Sequence, residues 1–168
     1  MILGLVAAKD NSNRFPAKNK YIHNGDPLFW HSVKPLLDSK ADDVYVITDS
    51  DYIKSYCEER NVGVIWRPKN ASRDEDKLIN IIRFGYYCLD KEYDVVVSVM
   101  ANCPGNTKEK LMQNNKLKEV RSFTRAGEEN GVMILSKNII ESNCDISYYI
   151  GSIQTTGKEI HYEEELNE

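Results

Sequence analysis

Four short apolar runs punctuate the first hundred residues, at 2–8 (ILGLVAA), 43–48 (DVYVIT), 62–66 (VGVIW) and 93–100 (YDVVVSVM). Near-continuous apolar, β-branched runs of this length predict strands covered on both faces, as in a parallel sheet. The longer segments between them, 27–39, 50–61 and 75–90, carry apolar residues at helical spacing. In the last of these, Leu78, Ile82, Gly85 and Leu89 share one face, with Ile81 beside them. Asp49-Ser50-Asp51 supplies capping chemistry ahead of the second helix, and Asp74 or Glu75 ahead of the third. Asn24-Gly25 reads as a tight hairpin turn between two short extended pieces. Further on, a helix at 107–119 leads to strands near 120–124 and 131–136 and then to a strand-like ending. The alternation predicts a doubly wound, mostly parallel α/β sheet in three layers.

In such sheets ligands bind beyond the carboxyl ends of the strands, where the strand order reverses. The loops at those ends therefore decide what the chain can hold. The first, AAKDNSNRFPAKNK (residues 7–20), gathers Lys9, Ser12, Arg14, Lys18 and Asn19 and contains no glycine. Cations on one short loop suit a polyanionic ligand such as a nucleoside triphosphate, lysine as a point charge and arginine as a fork. Neither a P-loop nor a dinucleotide fingerprint is present, so a solvated loop stays open as the plain reading. The second loop, Thr48-Asp49-Ser50, reads first as a helix cap. In the third, Pro68 extends the chain beside Arg67, which can then point into the cleft or lie solvated on a turn. The fourth, Asn102-Cys103-Pro104-Gly105, forms a polar rim. Cys103 has no evident base partner and reads as a small buried residue.

Composition narrows the classes. With 41% hydrophobic and 29% charged residues, the 168-residue chain has the makeup of one folded domain. Its net charge of −4 argues against nucleic-acid binding but leaves room for a small anionic ligand met by local positive charge. Four scattered cysteines, with no zinc spacing among them, suit a reducing cytoplasm. The N-terminal apolar run is too short to span a membrane and lacks the flanks of a signal peptide. The expectation is a cytoplasmic protein with no membrane partner. The acidic end, residues 163–168, reads as a solvated terminus.

Taken together, the loops resemble the cytidylyltransferases that make CMP-activated sugar acids, the acylneuraminate and CMP-Kdo synthetases. Ala8 to Asn19 runs without a gap beside the family's A-R-x-G-S-K-x-x-P-x-K-N motif, with Lys9 for its arginine and Asp10 and Asn11 for its glycines. GDPLFWHSV (25–33), VYVITDSDYI (44–53), RPKNASRD (67–74), SVMANCPGN (98–106), ENGVMILSKNII (129–140) and EIHYEEEL (159–166) follow the family's later motifs in order.

The resemblance implies a Rossmann-like nucleotidyltransferase fold and transfer of CMP from CTP to the anomeric hydroxyl of a keto-sugar acid, with release of pyrophosphate. It implies a nucleotide site of Ala8, Lys9, Ser12, Lys18, Asn19, Arg67 and Asp74, with Lys9 and Lys18 in the catalytic role; Arg14 joins that site as a further phosphate contact on charge alone. Asn102, Arg125 and Asn130 would lie on the sugar side. Glu159 and His161 occupy the places of two metal-holding aspartates, with Mg²⁺ or Mn²⁺ as cofactor; histidine is the softer ligand. The stretch before Asn130-Gly131 is too short for the hairpin extension through which relatives dimerise, which leaves the oligomeric state open. A degenerate nucleotide-binding domain and a different nucleotidyl or glycosyl transferase are the alternative readings.

Overall fold

Seven strands of the computed structural model form one sheet, built on the apolar runs just described. The structure describes residues 1–68, 78–112, 119–123, 129–142, 152–154 and 159–167. The strands are β1 (Ile2–Ala7), β4 (Asp43–Thr48), β5 (Gly63–Trp66), β6 (Val95–Met100), β7 (Glu119–Phe123), β8 (Glu129–Ser136) and β9 (Ser152–Gln154). A separate two-stranded hairpin holds β2 (Ile22–His23) and β3 (Asp26–Pro27). The helices are α1 (Trp30–Leu37), α2 (Asp51–Glu58), α3 (Leu78–Tyr87), α4 (Lys108–Leu111) and α5 (Lys137–Glu141). Among the described residues no helix is long and apolar enough to cross a membrane.

The strand order is β5-β4-β1-β6-β8-β7-β9. β5, β4, β1 and β6 run parallel, β8 runs antiparallel to both β6 and β7, and β9 is parallel to β7. The sheet is therefore mostly parallel and doubly wound. From β1 the chain turns one way to β4 and β5; from β6 it turns the other way, so the switch point falls between β1 and β6.

Alternation along β1 explains its unbroken apolar run. Val6 packs into the cluster of α1, α2 and α4 with Phe29, Val33, Leu36 and Ile53. Leu3 and Leu5 pack on the opposite face with Ile79, Ile82 and Tyr86 of α3 and Ile140 of α5. Both faces exclude water, which is why neither could be polar.

Three departures from the sequence expectation shape the elements around the sheet. The first helix begins at Trp30, three residues after the apolar pattern starts, because Asp26 and Pro27 pair across the hairpin with His23 and Ile22. Asn24 (φ 48°) and Gly25 (φ 89°) both take left-handed backbone there, as a two-residue hairpin turn of this kind requires. The expected cap on α2 is also absent in the predicted form. Ser50 occupies the N-cap position but its side chain makes no capping bond, and its Oγ is buried without a partner. Third, the chain's end after β9 is not extended: Glu163–Asn167 closes as a 3-10 turn. The capping positions Asp74 and Glu75 lie outside the described residues.

Candidate functional site

The carboxyl ends of β1, β4 and β6 open onto a cleft of about 440 Å³, a volume within the usual range for small-molecule sites. The β1 end contributes Ala8 and Lys9, and the loop after it Ser12, Asn13, Arg14, Lys18 and Asn19. The β4 end contributes Thr48 and Asp49, the β5 end Arg67, and the β6 end Met100 and Asn102. Four cationic side chains, Lys9, Arg14, Lys18 and Arg67, thus face two carboxylates, Asp49 and Glu159, in a chain whose overall charge is negative.

The first loop is held from several sides. Ala17 adopts a left-handed backbone (φ 56°), which turns the chain into the 3-10 turn Lys18–Lys20. The buried Asn19 then donates from Nδ2 to the Lys9 carbonyl at 2.9 Å, tying the two ends of the loop together. The Asp10 N–H donates to Asp49 Oδ1 at 2.6 Å, which joins the loops after β1 and β4. Asp49 therefore braces a neighbouring loop instead of capping its own helix. Asp10, one of the two residues standing where the family has glycine, turns its carboxylate to Lys20 Nζ at 2.8 Å. That pairing offsets the negative charge that its position would otherwise bring beside a phosphate site.

Lys18 extends into the cleft and donates to the Ile160 carbonyl at 2.8 Å. Burial, the largest cause, holds its pKa below the ordinary lysine value, and the charges of Lys9 and Arg14 push the same way against the opposing pull of Glu159. Arg14 reaches His161, with Nη1 and Nδ1 3.5 Å apart. Arg67 is buried at the cleft wall, its N–H donating to the Thr48 carbonyl at 2.8 Å. The reading in which Arg67 lies solvated on a turn is thereby corrected, since Pro68 directs it inward.

Residues from the chain's far end complete the wall. Glu159 and His161 both line the cleft, with Oε2 and Nε2 3.6 Å apart. Asn102, buried at the end of β6, donates from Nδ2 to Glu159 Oε1 at 3.1 Å and to the Ile160 carbonyl at 2.9 Å. Among the described residues no group of three or more His, Cys, Asp or Glu side chains is placed to hold a metal ion. A cation here would draw the rest of its coordination from a ligand and water, an arrangement Mg²⁺ favours when phosphates are present.

Asn130 belongs to β8, whose antiparallel pairing brings its first residues to the same edge as the end of β6. Its neighbour Gly131 (φ 75°) packs so closely that a Cβ there would lie 2.6 Å from Cys103 Sγ. Cys103 is fully buried and lies off the cleft, and burial pushes its thiol pKa well up, which disfavours the thiolate. Asp74 and Arg125 lie outside the described residues. Several site residues escaped the sequence reading. Leu78 and Ile81 form an apolar patch on the cleft although their spacing reads only as core. Glu165 accepts the N–H groups of His161 and Tyr162 at 2.6 and 2.8 Å, so the acidic end folds back on the site instead of lying wholly in solvent.

Comparison with known proteins agrees with this geometry. N-acylneuraminate cytidylyltransferase of Streptococcus agalactiae serotype V is 28% identical over 74 residues, which cover 42% of this chain and 18% of that protein. 3-Deoxy-manno-octulosonate cytidylyltransferase 2 of Hydrogenovibrio crunogenus is 32% identical over 135 residues, 78% of this chain and 50% of that one. The chain thus spans half or less of the length of either relative. A solved CMP:2-keto-3-deoxy-manno-octonic acid synthetase complexed with CTP superposes with a TM-score of 0.78 at 10% identity, covering 99% of this chain and 95% of the other; at that identity the likeness is one of fold. The family model described as cytidylyltransferase matches residues 3–142, which takes in the first loop, Arg67 and the start of β8. With its first loop, switch-point cleft and matched length in agreement, the chain belongs to the cytidylyltransferase family.

Proposed function

We propose that the chain transfers CMP from CTP to the anomeric hydroxyl of a keto-sugar acid of the sialic or Kdo class. The observation that carries this reading is the convergence of Lys9, Arg14, Lys18 and Arg67 on one cleft at the switch point of the sheet. In the reaction the sugar's anomeric oxygen attacks the α-phosphorus and gives up its proton. The bond from that phosphorus to the bridging oxygen breaks, and pyrophosphate leaves. Little covalent chemistry falls to the protein, so its residues act by placement and charge. Lys9, Lys18, Ser12 and Arg14 take the triphosphate, neutralising charge that grows on the leaving pyrophosphate. Ala8, Asn19 and Arg67 receive the cytidine against the apolar surface of Leu78 and Ile81; Asp74, outside the described residues, is assigned to the same nucleotide site. Arg125 and Asn130 serve the sugar side.

Glu159, with His161, would hold Mg²⁺ or Mn²⁺, which when bound offsets charge on the phosphate oxygens. One carboxylate and one imidazole make a softer set than two carboxylates and favour Mn²⁺ more than a pure oxygen site would. The same pair supports a second reading, a nucleotide-binding domain without catalysis. So do the contacts that commit Lys18 and Arg14 to residues 160 and 161.

Thermal denaturation with CTP or ATP, each with Mg²⁺ or Mn²⁺, tests the reading. CTP at 100 times its dissociation constant should stabilise the protein by about 2.7 kcal/mol, and ATP should do so far less. Pyrophosphate release is then followed with sialic, Kdo and legionaminic acids as acceptors. Stabilisation by CTP without release from any acceptor selects the binding domain. No response to any nucleotide removes both readings.

A further inference from the structure

Asn102 forms three bonds to one short stretch of chain. Its carbonyl accepts the Ile160 N–H at 2.7 Å, and its Nδ2 donates both to Glu159 Oε1 and to the Ile160 carbonyl. That carbonyl receives a second hydrogen bond, from Lys18 Nζ. From the far side, Glu165 Oε2 accepts the N–H groups of His161 and Tyr162. The Ile160 side chain, 2% exposed, anchors the middle. The stretch from Glu159 to Tyr162 has little regular structure of its own, yet its polar groups are held by Asn102 and Lys18 from distant parts of the chain and by Glu165 just beyond it.

We propose that Asn102 is a positioning residue rather than a reader of the sugar. It presents the Glu159 carboxylate to the cleft and, through the Ile160 carbonyl, sets where the Lys18 ammonium stands. An amide suits this position because one nitrogen carries two hydrogens and so can serve a carboxylate and a carbonyl together. A carboxylate at the same place would repel Glu159, and an alanine would leave the Glu159 oxygen and the Ile160 carbonyl each short of a donor. The role rests on the reading of Glu159 as the cation's carboxylate.

The test has two arms, on the full chain. Amide hydrogen exchange without ligand follows residues 159–167 in wild type, Asn102→Ala and Glu165→Ala. Titration calorimetry measures CTP affinity with and without Mn²⁺, and the tightening that Mn²⁺ confers is the readout. Both variants should speed exchange over the segment. Both should reduce the Mn²⁺-dependent tightening by roughly 10-fold or abolish it, the usual effect of losing a partner that orients a metal ligand. Glu165 does not line the cleft, so its agreement with Asn102 would separate positioning from contact, and it serves if Asn102→Ala fails to fold. Wild-type exchange over residues 159–167 in Asn102→Ala overturns the proposal. A Mn²⁺-dependent tightening unchanged from wild type overturns it as well, whatever loss of affinity the two conditions share, because Glu159 is then presented without Asn102. Wild-type protein that binds no CTP under either condition removes the underlying reading, a result distinct from both.

Discussion

Replacing Lys18 by methionine separates ligand binding from stability within a single side chain. The ammonium is half-buried, donates to the Ile160 carbonyl at 2.8 Å and sits among Lys9, Arg14 and Glu159. A hydrogen bond to a charged partner contributes about 1.5–3 kcal/mol, so losing the triphosphate contact should weaken CTP binding about 10- to 150-fold. The ligand-free protein should behave differently. Lys18→Met forfeits one charge-assisted hydrogen bond of about 1.5–3 kcal/mol but relieves a desolvated charge with two cations nearby, so the two effects largely offset and stability should stay within about 2 kcal/mol of wild type.

The pH dependence sharpens the test. Because the folded-state pKa lies below the ordinary 10.5, the unfolded chain holds the proton more tightly in the window between them. This group's contribution to stability therefore rises with pH across that window, while CTP affinity falls as the ammonium is lost. Lys18→Arg, which keeps its charge, should remove the alkaline fall in affinity. Calorimetric titration of CTP from neutral to alkaline pH, beside melts of the same variants, gives both quantities. A dissociation constant within threefold of wild type in Lys18→Met would refute the phosphate role. A stability loss above about 3 kcal/mol would instead mark Lys18 as structural.

Two further substitutions probe the frame of the sheet, one beside the cleft and one at the opposite, amino ends of the strands. Gly131→Ala meets a left-handed backbone, about 1–2 kcal/mol, and contacts of 2.6 Å to Cys103 Sγ and 2.9 Å to Met100 Cβ, about 1–3 kcal/mol more; urea unfolding should show the summed loss, and a change below about 1 kcal/mol would contradict this packing. Tyr93→Phe removes the hydroxyl that donates to Asp43 Oδ2 at 2.8 Å and should cost about 1 kcal/mol at neutral pH. The Asp43 carboxyl lies below the usual 3.8, first through Lys91 and then through Tyr93. Its stabilisation is therefore present above that value and lost as pH falls through the folded-state pKa. The difference between variant and wild type should narrow in acid, and a constant difference down to about pH 2 would exclude the carboxylate as its source.

Local signals were legible where local physics decides the outcome. The strand at 43–48 begins and ends where its apolar run does, and the Asn24-Gly25 turn follows from two residues that tolerate positive φ. The cations of the first loop and Arg67 were equally visible, because charge beside a predicted strand end needs no long-range knowledge. What stayed hidden depends on partners far apart in sequence. Nothing local shows that Asp10 turns to Lys20 while its N–H goes to Asp49, or that Asp49 braces a loop 39 residues away. Leu78 and Ile81 carry the spacing of core residues, and only the placement of α3 brings them to the cleft. Glu165 shows the same limit, since an acidic terminal run reads as solvated until its carboxylate meets two backbone N–H groups.

The ties from the first loop to the Ile160 carbonyl and to His161 also order events in time. Lys18 and Ile160 are separated by 142 residues, and Arg14 and His161 by 147. β1 lies between β4 and β6, so it waits for residue 100 before both of its edges are paired. Contacts of such long sequence separation close late, after the loop entropy between them has been overcome. A nascent chain that has folded its helices and most of its sheet still lacks the wall built by Glu159, Ile160 and His161. The cleft is therefore completed late as this polypeptide folds, and a ligand that engages that wall would select for molecules whose synthesis has run past residue 161.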